Sequence, residues 1–134
     1  MQRLAYILAY PILWGISKLP FPLLYFFSDC IYVLVYHIIG YRKNVVRENM
    51  KLALPQLTKK EQRKVEKQFY HHFCDSFLEM IKTLSISDKE INERFVFTNL
   101  EVIHELEKEG KSVSVLIGHY ASYEWLLLMH THLE

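Results

Sequence analysis

The sequence predicts an α/β protein in which apolar N-terminal helices precede the helices and first strands of a mixed layer. Three observations carry this prediction. Apolar residues crowd the chain before Gly40, with few charges among them. Between residues 58 and 84 they recur at steps of three and four, the period of an amphipathic helix. Two short runs rich in β-branched or aromatic residues, at 95–97 and 112–118, alternate with helical segments, as in the start of an α/β layer.

Length and composition bound the rest. With 134 residues the chain suffices for one modest domain. Hydrophobic residues make up 51% and aromatic residues 14%, but 23% charged residues exclude a protein made only of membrane spans. A formal net charge of +1 argues against broad nucleic-acid binding, which needs a basic excess on one face. Cys30 and Cys74 lie far apart, without Cys-x-x-Cys spacing, and read as reduced thiols.

Taken in order, residues 4–17 form a short uncharged segment interrupted by Pro11 and Gly15. No small-residue cleavage site follows, so the segment is expected to be retained. Residues 21–39 approach the ~20 residues that cross a bilayer core. Tyr25, Tyr32, Tyr36 and Tyr41 supply an aromatic belt, and Arg42, Lys43, Arg47 and Lys51 a positive flank. Asp29 is discordant, because an ionised carboxylate near the bilayer centre costs about 2.5–3.5 kcal/mol. It is expected to be protonated, paired or turned to protein, and an insertion that does not span avoids the cost altogether. These observations set residues 1–40 apart as a hydrophobic membrane anchor and residues 41–134 as a second, soluble-type region.

Residues 41–54 continue as a helix ended by Pro55, with Val45, Val46, Asn49, Leu52 and Ala53 toward one side. Thr58 and Glu61 make a capping box. The helix it starts carries Val65, Phe69, Phe73, Phe77, Met80, Ile81 and Leu84 as its expected core face. Ser87 and Glu90 offer a second capping box. Residues 95–97 read as a short strand, Leu100–Lys108 as a helix closed by Gly110, and residues 112–118 as a buried strand bounded by glycines. A further helix is expected beyond Ala121, with Ser122 as cap and Glu124 in the first turn, where a carboxylate suits the helix dipole.

His119 then falls at the C-terminal end of a strand, followed by Tyr120, Ala121, Ser122, Tyr123 and Glu124. A neutral imidazole that donates one nitrogen to a carboxylate is fixed in tautomer, and its other nitrogen can take a proton from a hydroxyl. His119 and Glu124 are therefore the candidate catalytic pair, with no metal and no cofactor expected. His71, His72 and Cys74 resemble a ligand set only on paper, since adjacent helix positions point about 100° apart. They read as structural or solvent-facing, and His130 and His132 raise the same objection. Lys59, Lys60, Arg63, Lys64 and Lys67 read as a solvated helix face, which beside an anchor would attract anionic headgroups at about 1 kcal/mol per charge. Glu79, set among apolar positions, is expected to be partly buried and paired with Lys82 or Lys43.

In order, these pieces resemble the late acyltransferases of lipid A biosynthesis, the lauroyl and myristoyl transferases. After the apolar segment, Val46, Asn49, Met50, Leu52 and Pro55 are similar to the family's V-x-x-N-L-x-L-x-x-P segment. A helix with a late Glu79 follows, and then residues 115–124, similar to the family's strand and H-x4-D/E box. That box is shared with glycerolipid acyltransferases; the ordered set is more specific and covers essentially the whole chain.

The resemblance implies transfer of a fatty acyl group from an acyl carrier protein thioester to a hydroxyl of a lipid A precursor. The setting it implies is the cytoplasmic face of the bacterial inner membrane, in contact with membrane lipids. His119 becomes the general base and Glu124 its orienting partner. The family continues beyond the box with further strands, so the chain is expected to be the N-terminal part of the enzyme and inactive by itself. Two other readings stand beside this one: a noncatalytic membrane-tethered interaction module, and a glycerolipid acyltransferase with the same pair.

Overall fold

The computed structural model describes residues 2–126, and every segment with regular structure in it is helical. Helix α1 (Gln2–Ser17) and helix α2 (Phe21–Tyr32) meet at a corner, and α2 continues as a π-helical segment, Val33–Ile39. Helices α3 (Lys43–Ala53), α4 (Lys59–Lys82), α5 (Asp88–Arg94) and α6 (Leu100–Lys108) follow. The long α4 packs against α1, α2 and α3 and is the spine of the molecule.

Local chemistry explains most boundaries. Proline at the start of α2 fixes φ where a helix-terminal N–H has no partner in any case. Gly40 closes the π segment at φ 67°, a left-handed conformation that glycine adopts without steric cost, and the Tyr41 N–H bonds back to the Val35 carbonyl. Thr58 and Glu61 form the expected reciprocal capping box at the head of α4. At α5 the Ser87 hydroxyl accepts the Glu90 N–H. Helix α6 has the expected bounds and ends in a turn through Gly110, where the Lys111 N–H reaches the Leu106 carbonyl.

The core gathers Phe21 and Leu24 from α2, Leu78 from α4, Ile91 from α5 and Trp125. Around it, buried polar groups bolt the corner between α1 and α2 to the end of α4. The Lys82 ammonium donates to the Leu19 carbonyl at 2.8 Å, and the Ser85 hydroxyl to the Ser17 carbonyl at 2.8 Å. Lys82 is 5% exposed, and the Phe21 ring lies 5.4 Å from its nitrogen. At the other end of α4, Glu66 accepts two bonds from the Arg47 guanidinium, at 2.9 and 3.0 Å, and the Tyr70 hydroxyl donates to the Tyr41 carbonyl.

Three expectations are corrected. The α/β class fails: among the described residues there is no strand. Residues 112–118 are extended but unpaired and exposed, with Leu116 97% exposed, and residues 95–97 are likewise outside any ladder. A strand satisfies its N–H and C=O groups only against a neighbour, and a sheet of two short strands is not stable by itself. The core face of α4 is also displaced. Its buried residues are Glu66, Tyr70, Cys74, Leu78 and Lys82, while Phe69, Phe77, Met80 and Leu84 are exposed.

A strict four-residue step drifts about 40° around a helix at each repeat, so this buried row winds around α4. It faces α3 at Glu66 and the corner between α1 and α2 at Lys82. Finally, the expected inner side of α3 is turned outward: Leu52 is 82% exposed, and Met50 is the buried residue.

Candidate functional site

Past α6 the chain runs extended from Lys111, bends at His119, and closes into a single 3-10 turn over residues 123–126. Ala121 sits at φ 51°, a left-handed conformation that costs a residue with a Cβ about 1–2 kcal/mol. The expected longer helix is represented among the described residues by that turn alone; Met129, His130 and His132 lie outside them.

His119 is exposed and sets its ring edge-on to Tyr123, centroid to centroid at 4.4 Å. Glu124 is half-buried and follows Tyr123 directly in the chain. The Tyr123 phenol is held above its ordinary pKa first by hydrogen bonding to Glu124, then by desolvation and the charge of that carboxylate. No ion pair joins His119 to Glu124 among the described residues.

What fastens this segment to the body is Glu79. One carboxylate oxygen accepts the Tyr25 hydroxyl of α2 at 2.7 Å, and the other accepts the Ser122 hydroxyl. The Glu79 carbonyl receives the Trp125 indole N–H at 3.4 Å, a long and weak bond, while the indole itself is buried in the core. Helix α2 and the segment of Ser122 and Trp125 therefore converge on one residue of α4. Ser122 serves this bond, not a helix cap.

The expected partners of Glu79 are engaged elsewhere, Lys82 on the Leu19 carbonyl and Lys43 over the Tyr36 ring at 4.0 Å. A lone carboxylate among apolar helix positions was the sequence signal. Its partners, 54 and 43 residues away, carried none.

Asp29, the discordant residue of the apolar segment, is paired. His71 Nε2 lies 3.0 Å from its carboxylate, and His71 Nδ1 lies 3.7 Å from Asp75. The adjacent Cys74 is buried, which together with the charge of Asp75 pushes its thiol up and disfavours the thiolate. His72 is exposed. Among the described residues no group of three His, Cys, Asp or Glu side chains is arranged to hold a metal ion.

The chain belongs to the bacterial lipid A biosynthesis acyltransferases, whose family model matches residues 2–132. No curated protein and no solved structure matches it. Membership makes acyl transfer in lipid A biosynthesis the activity to which these residues are to be related. Phe21–Ile39, 19 residues long, is the one described helix long and apolar enough to cross a membrane, by length and composition alone.

Proposed function

We propose that the protein moves a fatty acyl group from an acyl carrier protein thioester to a hydroxyl of a lipid A precursor. The proposed setting is the cytoplasmic face of the inner membrane, with residues 1–40 as the membrane-retaining part. The observation that carries this reading is the family match across residues 2–132, which takes in the H-x4-E box and its exposed histidine.

In this mechanism the His119 imidazole takes the proton of the acceptor hydroxyl as that oxygen attacks the thioester carbonyl. A sugar-linked or acyl-chain hydroxyl is too weak an acid to ionise beforehand, so proton removal and attack must coincide. Collapse of the tetrahedral intermediate breaks the carbon–sulfur bond, and the departing thiolate recovers the proton from the imidazolium. Glu124 orients the imidazole and stabilises its charged form. Tyr123, which lies against the His119 ring and whose phenol feels the Glu124 charge, is a competitor for that carboxylate.

Support for an interfacial site comes from the apolar surface of the first two helices. Ile7, Leu8 and Ile12 on α1, Phe26 on α2 and Ile38 on the π segment are each more than half exposed. The face of α2 that carries Asp29 is meanwhile turned toward His71 of α4.

The test is transfer of labelled acyl chains from acyl carrier protein to a lipid A precursor by membranes carrying the full-length protein. His119→Ala is expected to lower transfer by about 10²- to 10⁴-fold, whereas Tyr123→Phe, which releases Glu124, keeps or raises it. Equal turnover by wild type and His119→Ala defeats the assignment of the base. Label in phosphatidic acid in place of lipid A would reassign the acceptor.

A further inference from the structure

Between the end of the π segment, α3 and the head of α4 lies an open cleft of about 1140 Å³ whose lining is strongly basic. Helix α4 contributes Lys59, Lys60, Arg63, Lys64 and Lys67, which fall within an arc of about 140° on a helix of 3.6 residues per turn. Lys43 and Lys51 face them from α3, and Arg47 and Glu66 neutralise each other at the bottom. Glu61 is the other acidic residue of the lining, and its carboxylate is occupied by Thr58. None of the seven remaining cations forms an ion pair among the described residues, so the cleft carries a large uncompensated positive charge.

Its position says what meets it. Tyr36 and His37, in the last turn of the apolar segment, form part of the cleft wall, and the next residues, Ile38 and Ile39, are 73% and 61% exposed. A basic concavity that starts where an exposed apolar surface stops has the layout of a membrane interface, acyl chains on one side and headgroups on the other.

We infer that this cleft binds the phosphate-bearing headgroups of anionic membrane lipids, fixing the depth and tilt at which the helical body sits on the bilayer. The inference rests on the membrane part of the proposed function and is independent of His119. The Arg47–Glu66 pair sets the geometry by locking α3 to α4, so the two basic walls are held at a fixed separation. Opposed ammonium groups repel one another, and a headgroup phosphate between them relieves that repulsion.

The experiment is partitioning of the intact chain onto phosphatidylcholine vesicles with and without phosphatidylglycerol, at low and high salt. Wild-type protein is expected to bind the anionic vesicles more tightly and to lose the excess at high salt. The triple variant Lys60→Gln, Arg63→Gln, Lys67→Gln alters exposed side chains only and is expected to lose that excess by about 10- to 100-fold. A control triple on remote exposed positions, Lys89→Gln, Lys108→Gln, Lys111→Gln, removes the same charge and is expected to change binding less than about threefold.

Equal losses in the two triples would show diffuse attraction and overturn the site. Loss of binding to polyglutamate in the cleft triple, with vesicle partitioning unchanged, would assign the cleft to an acidic protein and overturn the proposal as well. Absence of wild-type binding to every vesicle would fail the membrane reading itself, an outcome distinct from both.

Discussion

Residues 59–82 close their backbone hydrogen bonds within one helix, whereas residues 112–118, equally apolar in places, run extended with no ladder to enter among the described residues. The helix also owns a row of buried side chains that meets α3, α2 and the corner beside α1 in turn. The extended run has no buried residue, and its connection to the body comes just after it, through Ser122 and Trp125. A helix is a local solution that tertiary contacts then stabilise, while a strand is not a solution at all until another strand lies beside it. The group proposed to do chemistry, His119, is thus carried by the less supported of the two regions and is positioned through Glu79 and Trp125.

Removing Trp125 breaks the comparison most directly. Its indole is 5% exposed among Phe21, Leu24, Leu78 and Ile91. Trp125→Ala is expected to cost about 3–5 kcal/mol in urea denaturation followed by far-UV circular dichroism. A change under about 0.5 kcal/mol would mean that the helical body is complete without the segment.

Arg47→Ala leaves the Glu66 carboxylate, in a residue 2% exposed, without its partner. The Arg47 side chain is itself 51% exposed, so the expected cost is about 2–3 kcal/mol, below the range for fully buried pairs. Adding Glu66→Met should recover most of the loss. Failure to do so would show that the pair orders α3 by more than its charge.

Glu79→Ala separates the two regions. It removes the acceptor of Tyr25 and Ser122 at an expected cost of about 1–3 kcal/mol. Amide hydrogen exchange should quicken over residues 119–125, while the middle of α4 keeps its protection. Glu79→Gln, which still accepts through its carbonyl, should restore part of that protection. Uniform loss of protection across α4 would make Glu79 a core residue, not a tether.

These differences track what was legible in the sequence. Capping chemistry is local, so the Thr58–Glu61 box and the bounds of α6 could be read from neighbouring residues, and the apolar stretch before Gly40 from composition. The buried row of α4 could not. Periodicity located an apolar stripe through Phe69 and Phe77, but which stripe is covered depends on the crossing of partners whose positions the helix does not encode. The same limit hid the partners of Glu79 and of Lys82. The richness of 112–118 in β-branched residues reports strand propensity and is silent about a pairing partner.

Of the candidate pair, the residue types and spacing were legible. The contact of the His119 ring with Tyr123 was not, because the bend at His119 and the left-handed Ala121 set it.

The smallest expected effect belongs to the most local device. Hydrogen bonds from the Thr58 side chain and then from its backbone hold the Glu61 carboxyl below its ordinary value of 4.5. A carboxyl with a depressed folded-state pKa contributes stability that is present above the unfolded value and lost as pH falls through the folded one. The head of α4 should therefore fray below about pH 4.5 and re-form on return to neutral pH, with exchange quickening at residues 61–64, the first amides with a partner, ahead of the helix centre. Glu61→Gln removes the titration but keeps an acceptor, so it should flatten that acid dependence with little change at neutral pH. An unchanged acid dependence in this variant would assign the fraying to another carboxylate and detach the capping box from the stability of the spine.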